Sequence, residues 1–201
     1  MNNTWKTTFV LIIVTLLVAV TPCLAKSVRL ELYANSEDII LGVASETLIS
    51  ETTLTFGAEG VFTGEDYRFG NAYFTLKNEI FKPALTLGLG LKGALGNASD
   101  EDDQDYDLAA AGFVLLGEYD FRKVYYNFPI VIRADVTYAP DPMTAADTEG
   151  YNEFNLRLKG YLVKSAALVL GYKNIFVDFE KDNDEYELSD DIIYFGIEFS
   201  F

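Results

Sequence analysis

The sequence lacks histidine and is poor in cysteine, proline and basic residues, and each shortage removes a class of function. Among 201 residues there is no His, one Cys and five Pro. Without imidazole the chain has no Ser-His or Cys-His nucleophile system and no His-ligated zinc. Its 15 basic residues face 31 acidic ones, for a formal charge of −16. This balance argues against a nucleic-acid partner, because phosphate binding needs a basic face.

The one long hydrophobic run lies at the N-terminus and has the features of a secretory signal peptide. Lys6 supplies a positive charge, Phe9–Val20 is an apolar stretch of 12 residues, and small residues precede a cleavage point after Ala25. A retained membrane helix would need about 20 apolar residues. The residues before Cys23 do not form a lipobox. We therefore predict a cleaved signal-peptide helix over 1–25 and a single mature domain, 26–201, without cysteine.

The mature chain shows strand-like alternation in place of helical periodicity. Gly (15), Tyr (13) and Phe (15) are abundant, as is usual in antiparallel β structure. Ten alternating segments recur, most near the 9–11 residues that a tilted transmembrane strand needs. The segments are Ser27–Ala34, Asp38–Ser45, Thr53–Phe62, Arg68–Lys77, Ala84–Gly93, Leu108–Glu118, Pro129–Tyr138, Glu153–Leu162, Ala166–Asp178 and Asp191–Phe201. They predict an all-β fold, a closed antiparallel transmembrane β-barrel of about ten strands, with eight as the alternative count.

The charges are segregated along this pattern. If Phe201 lies in the periplasm, alternate junctions fall on the outer side, and these junctions with their strand edges hold 20 of the 31 acidic residues. Lys181 is the only basic residue among them. With ten strands both termini are periplasmic, as export through a signal peptide would leave them. The prediction is a protein of the Gram-negative outer membrane that contacts lipid and lipopolysaccharide.

The two faces of the strands predict separate roles. The apolar face of the last strand resembles the signal that barrel-assembly machinery reads, so that machinery is an expected partner during biogenesis. The residues of this signal are Ile193, Phe195, Ile197, Phe199 and Phe201. The opposite faces carry eleven charged residues that we expect to pair or stay hydrated in a narrow lumen. They are Arg29, Glu31, Glu59, Lys77, Lys92, Arg133, Asp135, Arg157, Lys159, Lys173 and Glu198.

The acidic run DEDDQDYD offers weak metal-ligand candidates. Its carboxylates at Asp100, Asp102, Asp103 and Asp105 could hold a divalent cation, alone or bridged to lipopolysaccharide phosphate. The run lacks the spacing and central Gly of a calcium loop. The favoured interpretation is a solvated loop, with no metal and no cofactor.

Four longer segments carry a resemblance to a known family. They are PALTLGLGLKG (Pro83–Gly93), TYAPDPMTAADTEGYNEFNLRLKGYLV (Thr137–Val163), ALVLGYKNIFVDF (Ala167–Phe179) and the closing YFGIEFSF. With these segments the chain resembles the YfaZ-type family of small outer-membrane proteins. The resemblance implies an outer-membrane barrel, sometimes described as porin-like, with no established activity and no catalytic residues to transfer.

Three functions remain open from the sequence. The favoured one is a non-enzymatic barrel with a structural or narrow porin-like role, acidic extracellular loops and a charged lumen. A small-solute porin is the alternative. A soluble secreted β-sandwich or lipocalin-like binding protein is the third, since alternating strands also occur there. An enzyme is disfavoured because no His is available and the acidic loops offer no specific partner.

Overall fold

A computed structural model describes residues 27–64, 67–81, 83–99, 104–125, 128–181 and 184–201. The predicted signal-peptide helix and its cleavage after Ala25 lie outside these residues. The described part of the chain contains no helix with the length and apolar character that crossing a bilayer demands.

The described residues form a closed antiparallel β-barrel of ten long strands, as the alternation predicts. Each long strand pairs with the next along the chain, and β1 pairs with β11 to close the circle. The short β8 pairs with β6 outside this circle. Two single-turn 3-10 helices, Phe121–Lys123 and Asp141–Met143, lie in the connections. The strands are β1 Ser27–Ala34, β2 Ile39–Ile49, β3 Thr52–Phe62, β4 Tyr67–Phe81, β5 Leu85–Ser99, β6 Asp105–Asp120, β7 Ile130–Ala139, β8 Thr144–Ala146, β9 Thr148–Val163, β10 Ala166–Lys181 and β11 Asp184–Ser200.

The two ends of the barrel differ in charge. At one end, here called the short-turn end, Val28 and Phe201 exchange backbone hydrogen bonds, and β2–β3 and β9–β10 turn within two residues. At the other, here called the acidic end, β1, β3, β5, β7 and β10 end and β2, β4, β6, β9 and β11 begin. The described members of the predicted outer set, such as Glu37, Asp141 and Glu187, belong to this end.

Several strands are longer than the alternation predicts. Glu180–Asp190 was expected to be a loop, but β10 continues to Lys181 and β11 begins at Asp184, with the pairing unbroken between them. Similarly, β4 continues to Phe81, beyond Lys77, where the predicted segment ends. The reason is that cross-strand hydrogen bonds hold a hairpin together whether or not its side chains alternate in polarity.

The two faces of the barrel have opposite character. Large hydrophobic side chains are exposed on the outer face, while the described charged residues between the strand ends turn inward, where most are buried. On β11, for example, Phe195 and Ile197 are exposed, whereas Glu198 is 3 % exposed. A strand period of two produces this division, since neighbouring side chains point to opposite faces.

Candidate functional site

The lumen near the short-turn end is filled by nine charged side chains from six strands, here called the basal network. Arg29 is its hub, since its guanidinium lies 2.6 Å from the Glu31 carboxylate and 2.9 Å from that of Glu46. The Lys77 ammonium approaches Glu46 to 3.0 Å. The members are Arg29, Glu31, Glu46, Lys77, Arg133, Asp135, Arg157, Lys159 and Glu198.

The basal network crosses the barrel from wall to wall. Arg157 on β9 reaches Glu31 on β1 at 3.3 Å and Asp135 on β7 at 2.9 Å. Lys159 and Glu198 form a contact of 2.5 Å, with both side chains 3 % exposed. Desolvating such ions costs several kcal/mol each, so they are stable only when paired and hydrogen-bonded. The lumen is therefore closed by ion pairs over this part of its length.

A second set of charges, here called the central network, lies nearer the acidic end. The Lys173 side chain is fully buried and sits between the carboxylates of Glu59 and Glu153. Glu153 also accepts from Lys92 at 2.6 Å and from the Tyr151 hydroxyl at 2.5 Å. Four charged residues on four strands thus compensate one another.

Sequence reasoning placed eleven of these charges on inner faces but missed three carboxylates, at Glu46, Glu118 and Glu153. Glu118 is half-buried and lies opposite Arg133 in the β6–β7 register. When these three are added to the eleven predicted residues, the inner faces carry seven basic and seven acidic side chains. Glu118 and Glu153 lie at the ends of predicted segments, and Glu46 lies one residue beyond the predicted segment Asp38–Ser45. Strand alternation could have assigned Glu153 to the inner face, because Arg157, four residues later on the same strand, lies on that face.

A small cavity separates the basal and central networks. It has a volume of about 20 Å³ and is lined by charged and polar side chains, among them Thr75, Arg133, Glu153 and Arg157. This volume is enough for about one water molecule. Thr75 Oγ1 and Arg157 Nε are buried and have no hydrogen-bond partner among the described residues. The interior is polar at this level, but it is too small for a solute.

Towards the acidic end, aromatic side chains fill the lumen in place of charges. Tyr106 stacks on Tyr186 with ring centroids 5.1 Å apart, and Phe179 packs on both. Tyr67 stacks on Phe69 at 4.4 Å. These rings, together with that of Tyr151, belong to or pack on one hydrophobic cluster. We call the six residues the outer aromatic cluster; they are Tyr67, Phe69, Tyr106, Tyr151, Phe179 and Tyr186.

The β10–β11 hairpin reaches over the barrel mouth at the acidic end. The Tyr186 hydroxyl donates to the Ser99 carbonyl at 3.5 Å, although β11 and β5 stand on opposite sides of the ten-strand circle. Tyr67 on β4 donates to Asp190 at 2.7 Å. Lys181 donates to the Asp105 carbonyl. These contacts hold the hairpin across the mouth, above the outer aromatic cluster.

The weak metal candidates are only partly described. Asp100, Asp102 and Asp103 lie outside the described residues, and the exposed Asp105 accepts a hydrogen bond from Ser99 at 2.9 Å. Over the described ranges, no group of three or more metal-ligating side chains is assembled.

The predicted barrel-assembly signal lies on the outer face of β11. Its five side chains are all exposed, with Phe201 the most exposed at 75 %. The backbone of this segment pairs with β1 and β10, so the side chains are accessible from outside the barrel.

Comparison with known proteins gives a likeness in shape. No family model and no curated protein matches the chain. A solved structure described as the NanC porin has a TM-score of 0.47 at 10 % identity, over 86 % of this chain and 98 % of that one. A second, from work on the in-meso crystallization of membrane proteins, has a TM-score of 0.44 at 8 % identity, over 87 % and 82 %. Both scores lie below 0.5, and the function is therefore inferred from this chain's own geometry.

Proposed function

We propose that this protein is a bacterial outer-membrane β-barrel whose lumen is closed, so that its role is structural and not that of an open pore. The observation that carries the proposal is the pairing of an apolar exterior with a filled, charged interior. The resemblance to YfaZ-type proteins remains a prediction that agrees with it.

The exterior supports insertion into a bilayer. Of the described residues, 32 large hydrophobic side chains are exposed, including Leu89, Phe113 and Ile193 at more than half of their surface. Soluble monomers rarely expose contiguous apolar patches beyond a few hundred Å². A closed barrel also leaves few unpaired backbone groups in lipid, which is the condition for a spanning β structure.

Aromatic and basic residues at the short-turn end support an interfacial position. Tyr125 and Phe128 are exposed within the connection between β6 and β7, and the Arg122 guanidinium lies 3.7 Å from the Tyr161 ring centroid. Aromatic side chains with a polar tip are typical of both membrane interfaces. We assign this end to the periplasm and the acidic end to the cell exterior.

The interior supports closure. The basal network, the central network and the outer aromatic cluster lie in series, and the cavity between the two networks has room for about one water. A soluble β-sandwich does not agree with a closed barrel. A lipocalin-like binder would need an apolar ligand cavity, but charged groups occupy the centre.

Fractionation and conductance test the two halves of this proposal. The protein should leave the membrane fraction only with detergent and should migrate faster on gels before boiling than after it. Reconstituted in planar bilayers, it should show no steady conductance for potassium chloride. Recovery from the periplasm without detergent would contradict the membrane assignment. A large and steady conductance would contradict closure and favour the porin alternative.

A further inference from the structure

The alternation that selects the faces of a strand does not select its register. A slip by one residue exchanges the two faces, but a slip by two leaves every apolar side chain outside and every charge inside. The choice of register matters most at the β1–β11 seam, where six ladder pairs and the Val28–Phe201 hydrogen bonds join strands from the two ends of the chain. Some additional feature has to distinguish registers there.

Tyrosine rings seated on glycines provide such a feature on the lumen face. Gly171 lies opposite Tyr194 in the β10–β11 register, and Gly196 lies opposite Tyr33 in the β1–β11 register. A Cβ added at Gly171 would lie 2.1 Å from Tyr194 Cζ. One added at Gly196 would lie 2.0 Å from the Leu32 carbonyl oxygen and 2.7 Å from Tyr33 Cδ1, so the β1 backbone and the ring both exclude it. No other residue type leaves room for these rings.

The two pairs interlock three strands. Tyr33 and Tyr194 stack on each other with centroids 5.0 Å apart, so rings and glycines form one continuous layer over β10, β11 and β1. Both rings are almost fully buried. A third pair on the far side, Tyr73 over Gly57, has the same form, with an added Cβ 2.3 Å from Tyr73 Cζ. In all three pairs the ring covers the preceding strand of the circle.

We propose that these tyrosine–glycine pairs set the register in which the barrel closes, with Tyr33, Tyr194, Gly171 and Gly196 as the positioning residues of the seam. A slip by two would place each ring against a side chain instead of a glycine. Opposite Tyr33 the new neighbour would be Tyr194 or Glu198, and neither offers the same space. The pairs therefore favour one register among those that polarity alone leaves equivalent.

A double-mutant cycle tests the ring-on-glycine contact in the full chain. Gly171→Ala is expected to lower the ratio of folded to unfolded barrel by roughly tenfold or more, because its Cβ overlaps the Tyr194 ring. Adding Gly171→Ala to Tyr194→Ala should have little further effect, since the ring is gone. The control is Gly160→Ala, which meets nothing within 4 Å. Additive effects at Gly171 and Tyr194 would overturn the contact.

A cross-linking experiment tests the register directly. The only cysteine of the chain is Cys23, so Cys23→Ser gives a cysteine-free background. With Ile197→Cys held constant, Leu32→Cys reports the native register, while Leu30→Cys and Ala34→Cys report slips by two. Tyr33→Ala should move disulfide formation from position 32 to position 30 or 34, whereas Tyr33→Phe should leave it at 32.

The outcomes are separable from those of the proposed function. A barrel that enters the membrane and migrates faster before boiling than after it, but keeps the native cross-link after Tyr33→Ala, would overturn the register proposal alone. A wild-type chain that never enters the membrane fraction would instead overturn the proposed function. Tyr194→Phe removes only the hydroxyl that donates to Asn155 at 2.8 Å, so it should leave the register unchanged.

Discussion

The two halves of the lumen are filled by opposite chemistry. Towards the short-turn end, side chains such as Arg29, Glu31 and Glu198 meet as ions, whereas towards the acidic end rings such as Tyr106 and Phe179 pack as apolar volume. An ion needs a particular partner at a particular distance, but a ring needs only neighbours of suitable shape. The lumen is therefore closed at two levels, by ion pairs and by packed rings, and mutations at the two levels should have different effects.

The order of the two layers also has a physical reason. The connections at the acidic end carry an excess of carboxylates, with Lys181 as the one basic residue that the sequence offers among them. An apolar layer beneath this rim keeps water away from the central network, where Lys173 is fully buried between two carboxylates. A low local dielectric strengthens those ion pairs but raises the penalty for an unpaired charge.

The largest expected effect is therefore the loss of a central cation. Lys173→Met should lower the free energy of unfolding by about 3–5 kcal/mol, because Glu59 and Glu153 lose the cation between them while remaining partly or wholly buried. Unfolding by guanidinium in lipid vesicles measures this. Lys173→Met with Glu153→Gln should recover part of the loss, and a double variant no more stable than the single one would contradict the assignment.

Truncation of a ring in the outer aromatic cluster should cost less than the loss of Lys173. Phe179 packs on Tyr106 and Tyr186 and is 2 % exposed, so Phe179→Ala should lower the free energy of unfolding by about 3 kcal/mol and Phe179→Leu by about 1 kcal/mol. Conductance should stay at the baseline in both variants, since the networks below still fill the lumen. A steady current through Phe179→Ala would show that the aromatic cluster is the only seal.

Much of this arrangement could be predicted from the sequence. The count of ten strands and the closed barrel follow from alternation, because parity determines which face a residue joins. Glu46 was beyond that reasoning, since it lies in a segment that looks like a turn but continues β2 to Ile49. The partner choices, such as Arg157 with Glu31 and Asp135, depend on how strands far apart in the chain stand across the lumen.

The aromatic layer shows a second limit of the sequence. Tyr106 and Tyr186 alternate like other strand residues, but their stacking requires β10–β11 to lean across the mouth. The outer part of that hairpin, Glu180–Asp190, is mostly acidic, and for this reason the sequence predicts a loop there. Hydrogen-bond pairing, which sequence polarity does not report, determines where such a strand ends.

An exposed ion pair at the barrel end should contribute little to the free energy of unfolding. Lys123 approaches Glu79 to 3.0 Å at the short-turn end, with the Lys123 side chain 43 % exposed. Lys123→Met should change the free energy of unfolding by about 0–1 kcal/mol, and the difference should vanish in high salt. It serves as the matched control for Lys173→Met. A loss as large as that of the buried lysine would mean that charge alone, and not burial, decides the effect.

The smallest expected effect is a pH dependence at the acidic end, where the carboxyl groups of Glu149 and Glu180 meet. A hydrogen bond with Glu180, together with its charge, raises the pKa of Glu149 above its ordinary value. A carboxyl whose folded pKa is raised stabilises the fold below the unfolded value of about 4.3 and loses that contribution as pH rises through the folded pKa. The urea midpoint, measured at low ionic strength, should thus fall slightly between about pH 4 and pH 7 through this pair. Glu180→Gln should remove this pH-dependent component, and the difference between the pH profiles of the wild type and the variant measures it. Identical profiles would contradict the contact.

Because both groups are exposed at the rim, the effect should also shrink with added salt, unlike that of any pair in the lumen.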